Sequence, residues 1–406
     1  MTIRTRRTIF YLLVCIFFVA STLLIFYSNG WRFDFETKRI DKLGGLYFEA
    51  TPGDLTLKVE KTSYQMKSGF LKNTLLIDKL FPKTYAVEIS RMGYQSWYKR
   101  FIVHPSLVKA VYPIVLVPTQ PTLQLFAQKV IDIWPGSKYT IFKDQQKQLH
   151  LNNQIISGDH VLDWSPNGTS ALLANKTNQT LSLLDINFLN ATTTTPIALS
   201  GLRADEKIST AIFDPTDSTY LLIATNRNLY HFNLEQSLLT RMDQGVIQKL
   251  TRNDQAVFWF NQKWQSFPNE FHNRDVIMQI LEQSDFAHAQ VMFQVSPDQK
   301  KIALLNLDNP TRIHILFLEE DAIFQKKTGE LYTFTLPFST ETPQYTWHSN
   351  SSYLFLQTHN QLQLTEIDNA LPQNFQTIAT NTQDYQLTQE NLYILRSGDV
   401  YTVDLK

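Results

Sequence analysis

The sequence predicts an all-β chain carried behind one N-terminal transmembrane helix, and three observations support that reading. The twenty residues from Thr8 to Tyr27 hold no charge. Short alternating strands, separated by Pro-Gly and Gly turns, fill residues 44–118. A unit of short strands then recurs seven times between 119 and 406. The boundaries that follow are 1–7 for a cytoplasmic tail, 8–27 for the helix, 28–43 for a stalk, 44–118 for a small β-sandwich and 119–406 for the repeat array.

Composition fixes the class. At 406 residues, with 43% hydrophobic and 18% charged residues, the chain folds, and it has length for two or three domains. Thirty-seven Lys and Arg balance 37 Asp and Glu, which argues against a nucleic-acid partner. The single cysteine, Cys15, lies inside the uncharged run. Everything after that run lacks a thiol, which excludes disulfides, CxxC redox chemistry, cysteine-based zinc sites and a cysteine nucleophile there.

At about 1.5 Å per residue, the run Thr8–Tyr27 spans roughly 30 Å as a helix, the thickness of the hydrocarbon layer. Arg4, Arg6 and Arg7 precede it and no acidic residue occurs before Asp34. That asymmetry predicts a cytoplasmic N-terminus, with the bulk of the chain outside the cytoplasm. Tyr11, Tyr27 and Trp31 are placed as interfacial anchors. A cleaved signal peptide is the competing reading; it calls for a shorter apolar core and an A-x-A-like site, which Phe18-Val-Ala-Ser21 fits poorly. A buried core helix is a more distant one, since no polar face interrupts the run.

In 44–118 the period is two. Leu55, Leu57 and Val59 alternate with Thr56 and Lys58, and strand-like segments follow at 85–89, 97–103 and 111–117. Gly45-Leu-Tyr-Phe-Glu-Ala-Thr-Pro52-Gly53-Asp54, Pro82-Lys83-Thr84-Tyr85 and Gly93-Tyr94-Gln-Ser-Trp97 together resemble a PEGA domain. The sequence departs from that family's pattern at Asp54, where alanine is usual, and at Lys83, where glycine is usual. The resemblance implies a β-sandwich of the kind common beside membrane anchors, and it implies no catalytic residue. Trp97, Tyr94 and Phe101 are expected as core aromatics rather than as a sugar platform.

The array from 119 onward repeats an apolar strand, a tight turn, a strongly apolar strand and a third, alternating strand. The clearest copies are Leu162-Asp-Trp-Ser-Pro-Asn-Gly168 before Ala171–Ala174, Ile212-Phe-Asp-Pro-Thr-Asp217 before Tyr220–Ala224, and Phe293-Gln-Val-Ser-Pro-Asp298 before Ile302–Leu305. Weaker ones start at Ile131, Gln248, Thr346 and Tyr385. They lie roughly 42 residues apart on average, the length of a four-stranded propeller blade. Ser-Pro-Asp/Asn supplies turn chemistry. The second strand is apolar on both faces, as in Ala256-Val-Phe-Trp-Phe260, which requires both faces to be covered. A seven-bladed β-propeller results, with a β-solenoid or two stacked sandwiches as alternatives. Segment 122–128 precedes the first repeat and has no blade of its own, while the last repeat holds three strands. It is expected to pair with 400–405 and close the ring. Trp164-Ser165-Pro166-Asn167-Gly168 resembles the turn of TolB-like and WD-repeat propellers, and Ser296-Pro297-Asp298 part of it.

The residues give no catalytic, cofactor-binding or metal site. The nine histidines form no HExxH or H-x-H pair. His348 is expected in a solvated turn and Glu319-Glu320-Asp321 in a solvated acidic loop. The polar cluster Asn269–Asp275 is expected to be a loop. The turn residues Asn167, Asp217, Asn253, Asp298 and Asn350 lack the paired-carboxylate logic of a glycosidase. The sequons at Asn167, Asn175, Asn178, Asn190 and Asn350 matter only in a host that glycosylates exported chains. The function expected is a membrane-anchored extracytoplasmic scaffold that binds a protein or a cell-envelope polymer, not an enzyme. A propeller-type hydrolase and the ligand-binding subunit of a sensor are the alternatives.

Overall fold

The computed structural model describes residues 3–35, 37–66, 73–151, 154–175, 179–186, 192–253, 255–283, 285–287, 290–336, 343–358, 360–368, 370–388 and 391–403. The chain is mostly β behind one apolar helix, Ile3–Ser28. That helix begins ahead of the uncharged run and takes in Arg4, Arg6 and Arg7, because arginine is a good helix former and no breaker precedes Thr8. The most apolar 18-residue window within Thr5–Ser28 has a mean hydropathy of 2.8 and is not buried against the rest of the chain.

The segment expected as a stalk is instead folded. Trp31–Asp34 pairs antiparallel with Arg39–Lys42, with Trp31 opposite Lys42 and Phe33 opposite Ile40. Leu43 N–H donates to Gly30 O at 3.1 Å, which ties the hairpin back to the end of the helix.

Residues 44–115 form two facing sheets. In one, Gly44–Thr51 runs antiparallel to Thr74–Leu80 and parallel to Val108–Val115. The other is antiparallel in the order Thr62–Met66, Leu55–Val59, Thr84–Ser90, Trp97–Ile102. Burial alternates along Leu55–Val59 and Trp97–Ile102, so alternate side chains meet in a core holding Leu46, Phe48, Leu57, Val87, Trp97 and Phe101. Asp54 adopts a φ of 56° in the turn, a conformation that Asp tolerates better than Ala and a physical reason for the residue found there.

From Leu123 to Val403, the described strands form seven antiparallel sheets, six of four strands and one of three. Six sheets follow chain order. The seventh combines Asp384–Leu387, Leu392–Arg396 and Asp399–Val403 with Leu123–Ala127, which lies antiparallel to Asp399–Val403 with Leu123 opposite Val403. Residues 404 and 405, included in the expected pairing, lie outside the described residues.

The second strand of each later sheet is covered on both faces: Ala171–Ala174, Leu221–Thr225, Val257–Phe260, Ile302–Leu305 and Tyr353–Leu356 are buried throughout. What covers them is the neighbouring sheet. Ile141 and Leu173 share a cluster between sheets one and two, and Leu172 and Phe213 one between two and three. Leu222 with Trp259, Phe258 with Phe293, Leu305 with Tyr345, and Phe355 with Tyr385 continue the series. Val130 and Ile133 of the first sheet then pack with Tyr393 and Leu395 of the seventh. Each sheet thus buries one face against the sheet before it and one against the sheet after it. The arrangement is propeller-like.

The fourth sheet has three strands and is followed by a helix, Arg274–Leu281. The polar cluster expected as a loop runs straight into this helix. Val276, Ile277, Ile280 and Leu281 recur at helical spacing, and the helix buries Ile277, Met278, Ile280 and Leu281 against the core between sheets four and five.

Candidate binding surface

The turns after the first strands gather around a cavity of about 690 Å³ at one end of the array. Its lining comes from six sheets: Gly136 and Ser137, Asp163 and Trp164, Arg252 and Gln255, Ser296 and Gln299, Trp347 and Ser349, and Thr388.

Aromatic side chains sit at the ends of the first strands because they staple adjacent sheets. Trp164 Nε1–H donates to Trp134 O at 3.2 Å, and Trp347 Nε1–H to Gln294 O at 2.9 Å. Gly136 is required by the first staple, since a Cβ there would lie 2.7 Å from the Trp164 indole. In the fourth sheet the corresponding position is Arg252. Its guanidinium crosses to the second sheet, donating to Asp163 Oδ1 at 3.0 Å and to Trp164 O at 2.9 Å. Asp163 Oδ2 also accepts from Phe213 N–H at 2.8 Å. Burial pushes the Asp163 carboxyl above its ordinary range, against the pull of Arg252 and the Phe213 amide.

The other charges near the mouth are also matched internally. Asp298 accepts from Ser296 and pairs with Lys301 Nζ at 3.0 Å. Burial raises the Asp298 carboxyl, but Ser296, Lys301 and the Lys300 amide outweigh it and leave it below the usual range. Lys301 is itself buried and takes a second carboxylate, Asp321, at 3.2 Å. The acidic run is therefore not simply a solvated loop: Asp321 neutralises a buried ammonium, and Glu319 pairs with Lys300 at 2.9 Å and His272 at 3.3 Å. His348 is likewise not a solvated turn residue. It stacks on Phe355 with centroids 5.5 Å apart, and burial lowers its pKa, holding the ring neutral near pH 7. Asn167, Asp217 and Asn253 each accept backbone N–H groups of their own turns. Asn178, Asn190, His288 and His359 lie outside the described residues. Among the described residues, no three His, Cys, Asp or Glu side chains are grouped so as to hold a metal ion.

The sandwich is fastened to the sixth sheet by a polar seam. Gln376 accepts from Val117 N–H and donates to Val115 O, both at 2.8 Å. Gln95 does the same to Thr377 in the opposite sense, accepting from its N–H at 3.0 Å and donating to its carbonyl at 2.6 Å. Lys99 is fully buried between Glu366, at 2.9 Å, and Asp368. Trp97, in the sandwich core as expected, turns its Nε1–H to Glu366. A cavity of about 140 Å³ remains beside these groups, lined by Lys109, Phe324 and Tyr353. Burial there lowers the pKa of Lys109.

No family model matches the sequence, and no curated protein matches it. Solved structures similar to the chain are WD40 and β-propeller domains. The WD40 domain of Toxoplasma gondii coronin is 10% identical, with 71% of this chain and 87% of that one covered and a TM-score of 0.45. The β-propeller domain of Myceliophteria thermophila Cps50 (Swd1) is 6% identical, covering 69% and 99%, with a TM-score of 0.45. The extracellular domain of a putative one-component system from B. thetaiotaomicron is 10% identical, covering 70% and 40%, with a TM-score of 0.42.

Proposed function

We propose that this chain is a single-pass membrane protein whose seven-bladed β-propeller, carried on a PEGA-like sandwich, stands outside the cytoplasm and binds a protein or a cell-envelope polymer without chemically altering it. The observation that carries this reading is the spent charge at the cavity mouth. Asp163 is held by Arg252 and Asp298 by Lys301, so neither carboxylate is poised as a free acid or base. Hydroxyls and amides of Ser137, Gln255, Gln299, Ser349 and Thr388 share the remaining surface with apolar side chains such as Trp164, Trp347, Phe293, Val295 and Leu318. Such a mixed surface suits an extended, largely uncharged partner with both polar and apolar faces, such as a peptide or glycan segment. The seam at Lys99, Gln95 and Gln376 supports a scaffold as well, because it fixes the propeller to the sandwich rather than leaving it on a free tether. The balance of charge in the sequence disfavours nucleic acid.

The test is photocrosslinking in intact cells from probes at Ser137 and Ser349 on the mouth, with Ser237 as a control. Capture of a discrete protein or polymer from both mouth positions, and not from the control, supports the reading. Turnover of cell-wall glycans or peptides by the purified full chain, abolished by Asp163→Asn, would replace it with the hydrolase reading.

A further inference from the structure

The hairpin after the helix is amphipathic by strict alternation. Trp31, Phe33 and Phe35 point to one face, together with Ile40 and Lys42, which lie opposite Phe33 and Trp31. Arg32, Asp34, Arg39 and Asp41 occupy the other. Most of the hairpin's apolar side chains are left open: Phe33 is 47% exposed, Ile40 59% and Phe35 84%. Phe33 and Phe35 stack edge to face, 5.1 Å between centroids, and both rings are exposed. A two-stranded ribbon has no interior of its own, so a face of this composition is stable in water only when something covers it.

We propose that the outer bilayer interface covers it, so that the hairpin lies in the headgroup region and sets the tilt of the whole extracytoplasmic body. Continuity identifies the occupant. Trp31 lies three residues beyond the last residue of the apolar helix, and its ring packs on Phe26 of that helix, centroids 6.0 Å apart. The hairpin face is therefore an extension of the surface that the helix itself presents to lipid. The cations are arranged for an interface. Lys42 Nζ lies 5.4 Å above the Trp31 ring, and the Arg32 guanidinium 3.4 Å above the Tyr27 ring. Each basic head is stacked on an aromatic at the depth where Trp, Tyr and snorkelling cations collect. Arg32 also donates to Tyr27 O at 2.6 Å, so helix and hairpin cannot swing freely. Downstream, Ser106 N–H donates to Leu43 O at 3.0 Å, which ties the hairpin to a sandwich loop where Leu107 is exposed as well. The path from bilayer to propeller thus runs through a seated hairpin, the sandwich and the Lys99 seam.

This inference rests on the helix being a retained anchor, and the experiment separates the two. Full-length protein with Cys15→Ser is spin-labelled singly at positions 33, 35, 39, 40 and 237 and reconstituted in phosphatidylethanolamine–phosphatidylglycerol vesicles. Collision with oxygen, which partitions into lipid, is compared with collision with a water-soluble nickel chelate. The expected ratio of oxygen to nickel accessibility is severalfold higher at 33, 35 and 40 than at 39 and 237, alternating with side-chain face. Equal ratios at 35, 39 and 237 in a chain that resists carbonate extraction would overturn the seating and leave the anchor standing. Release of the chain by carbonate would overturn both. Single labels leave the rest of the apolar face intact, so a failed fold in one variant does not mask the result.

Discussion

The Trp97 indole of the sandwich donates to the Glu366 carboxylate of the sixth sheet across 3.2 Å, although 269 residues separate them in the chain. The same carboxylate holds Lys99 and accepts from Asn374, so one buried anion organises the join between the strand Trp97–Ile102 and the sixth sheet. A group in that position is costly to disturb, and its partners tell how costly.

Lys99→Ala should destabilise the chain by about 3–5 kcal/mol, because it strands Glu366 and Asp368 without their cation. Lys58→Ala, which removes an exposed pair with Glu88, should change stability by about 0.5 kcal/mol or less. Chemical denaturation followed by tryptophan fluorescence measures both. Equal effects would mean that the seam carries no special share of the stability.

Deletion of residues 120–128 should lower the unfolding midpoint of all seven sheets together, since Leu123–Ala127 covers the edge strand Asp399–Val403. Calorimetry distinguishes the outcomes. A truncated chain that melts like the intact one would show that the array does not depend on this strand.

Asp243 gives a prediction in pH. Burial raises its carboxyl, but donors from Trp259 at 2.8 Å, Gln265 at 2.9 Å and Asn261 at 3.2 Å, together with the Gln244 amide, bring it below the ordinary range. Its folded pKa is therefore depressed. The stability it contributes is present above the unfolded value, about 3.9, and is lost as pH falls through the folded one. The intact chain should exceed Asp243→Asn in stability at pH 7, and the gap should close below about pH 4. A gap that stays constant with pH would place the effect in packing instead.

Protease added to intact spheroplasts should degrade the chain beyond residue 28 and leave an epitope fused ahead of Arg4 protected. Resistance of the propeller until the membrane is broken would reverse the proposed orientation.

How legible these features were depended on how local they are. The doubly buried second strands announce themselves as continuous apolar runs, because each residue reports its own environment. Trp164 marks its turn for a similar reason: the surrounding Ser-Pro-Asn-Gly is local turn chemistry. Asp321, by contrast, reads as part of a solvated acidic run, and alternation puts Lys99 on the face of Trp97 and Phe101 without naming a partner; only the tertiary structure brings each to its opposite charge. Arg252 and Asp163 stand 89 residues apart, and no spacing rule joins them. Two misses did carry a signal. Val276, Ile277, Ile280 and Leu281 have helical spacing inside a stretch dominated by polar neighbours. Trp31, Phe33 and Phe35 alternate with Arg32 and Asp34 as cleanly as any strand in the sandwich, yet the position beside the helix suggested a stalk.

The shared seventh sheet has a consequence in time. Gln124 meets Thr402, which is made 278 residues later. At about 5–20 residues per second, roughly 15–55 s pass before the partner exists. Throughout that interval the segment Leu123–Ala127 waits as a bare, sticky ribbon while most of the array is synthesised behind it.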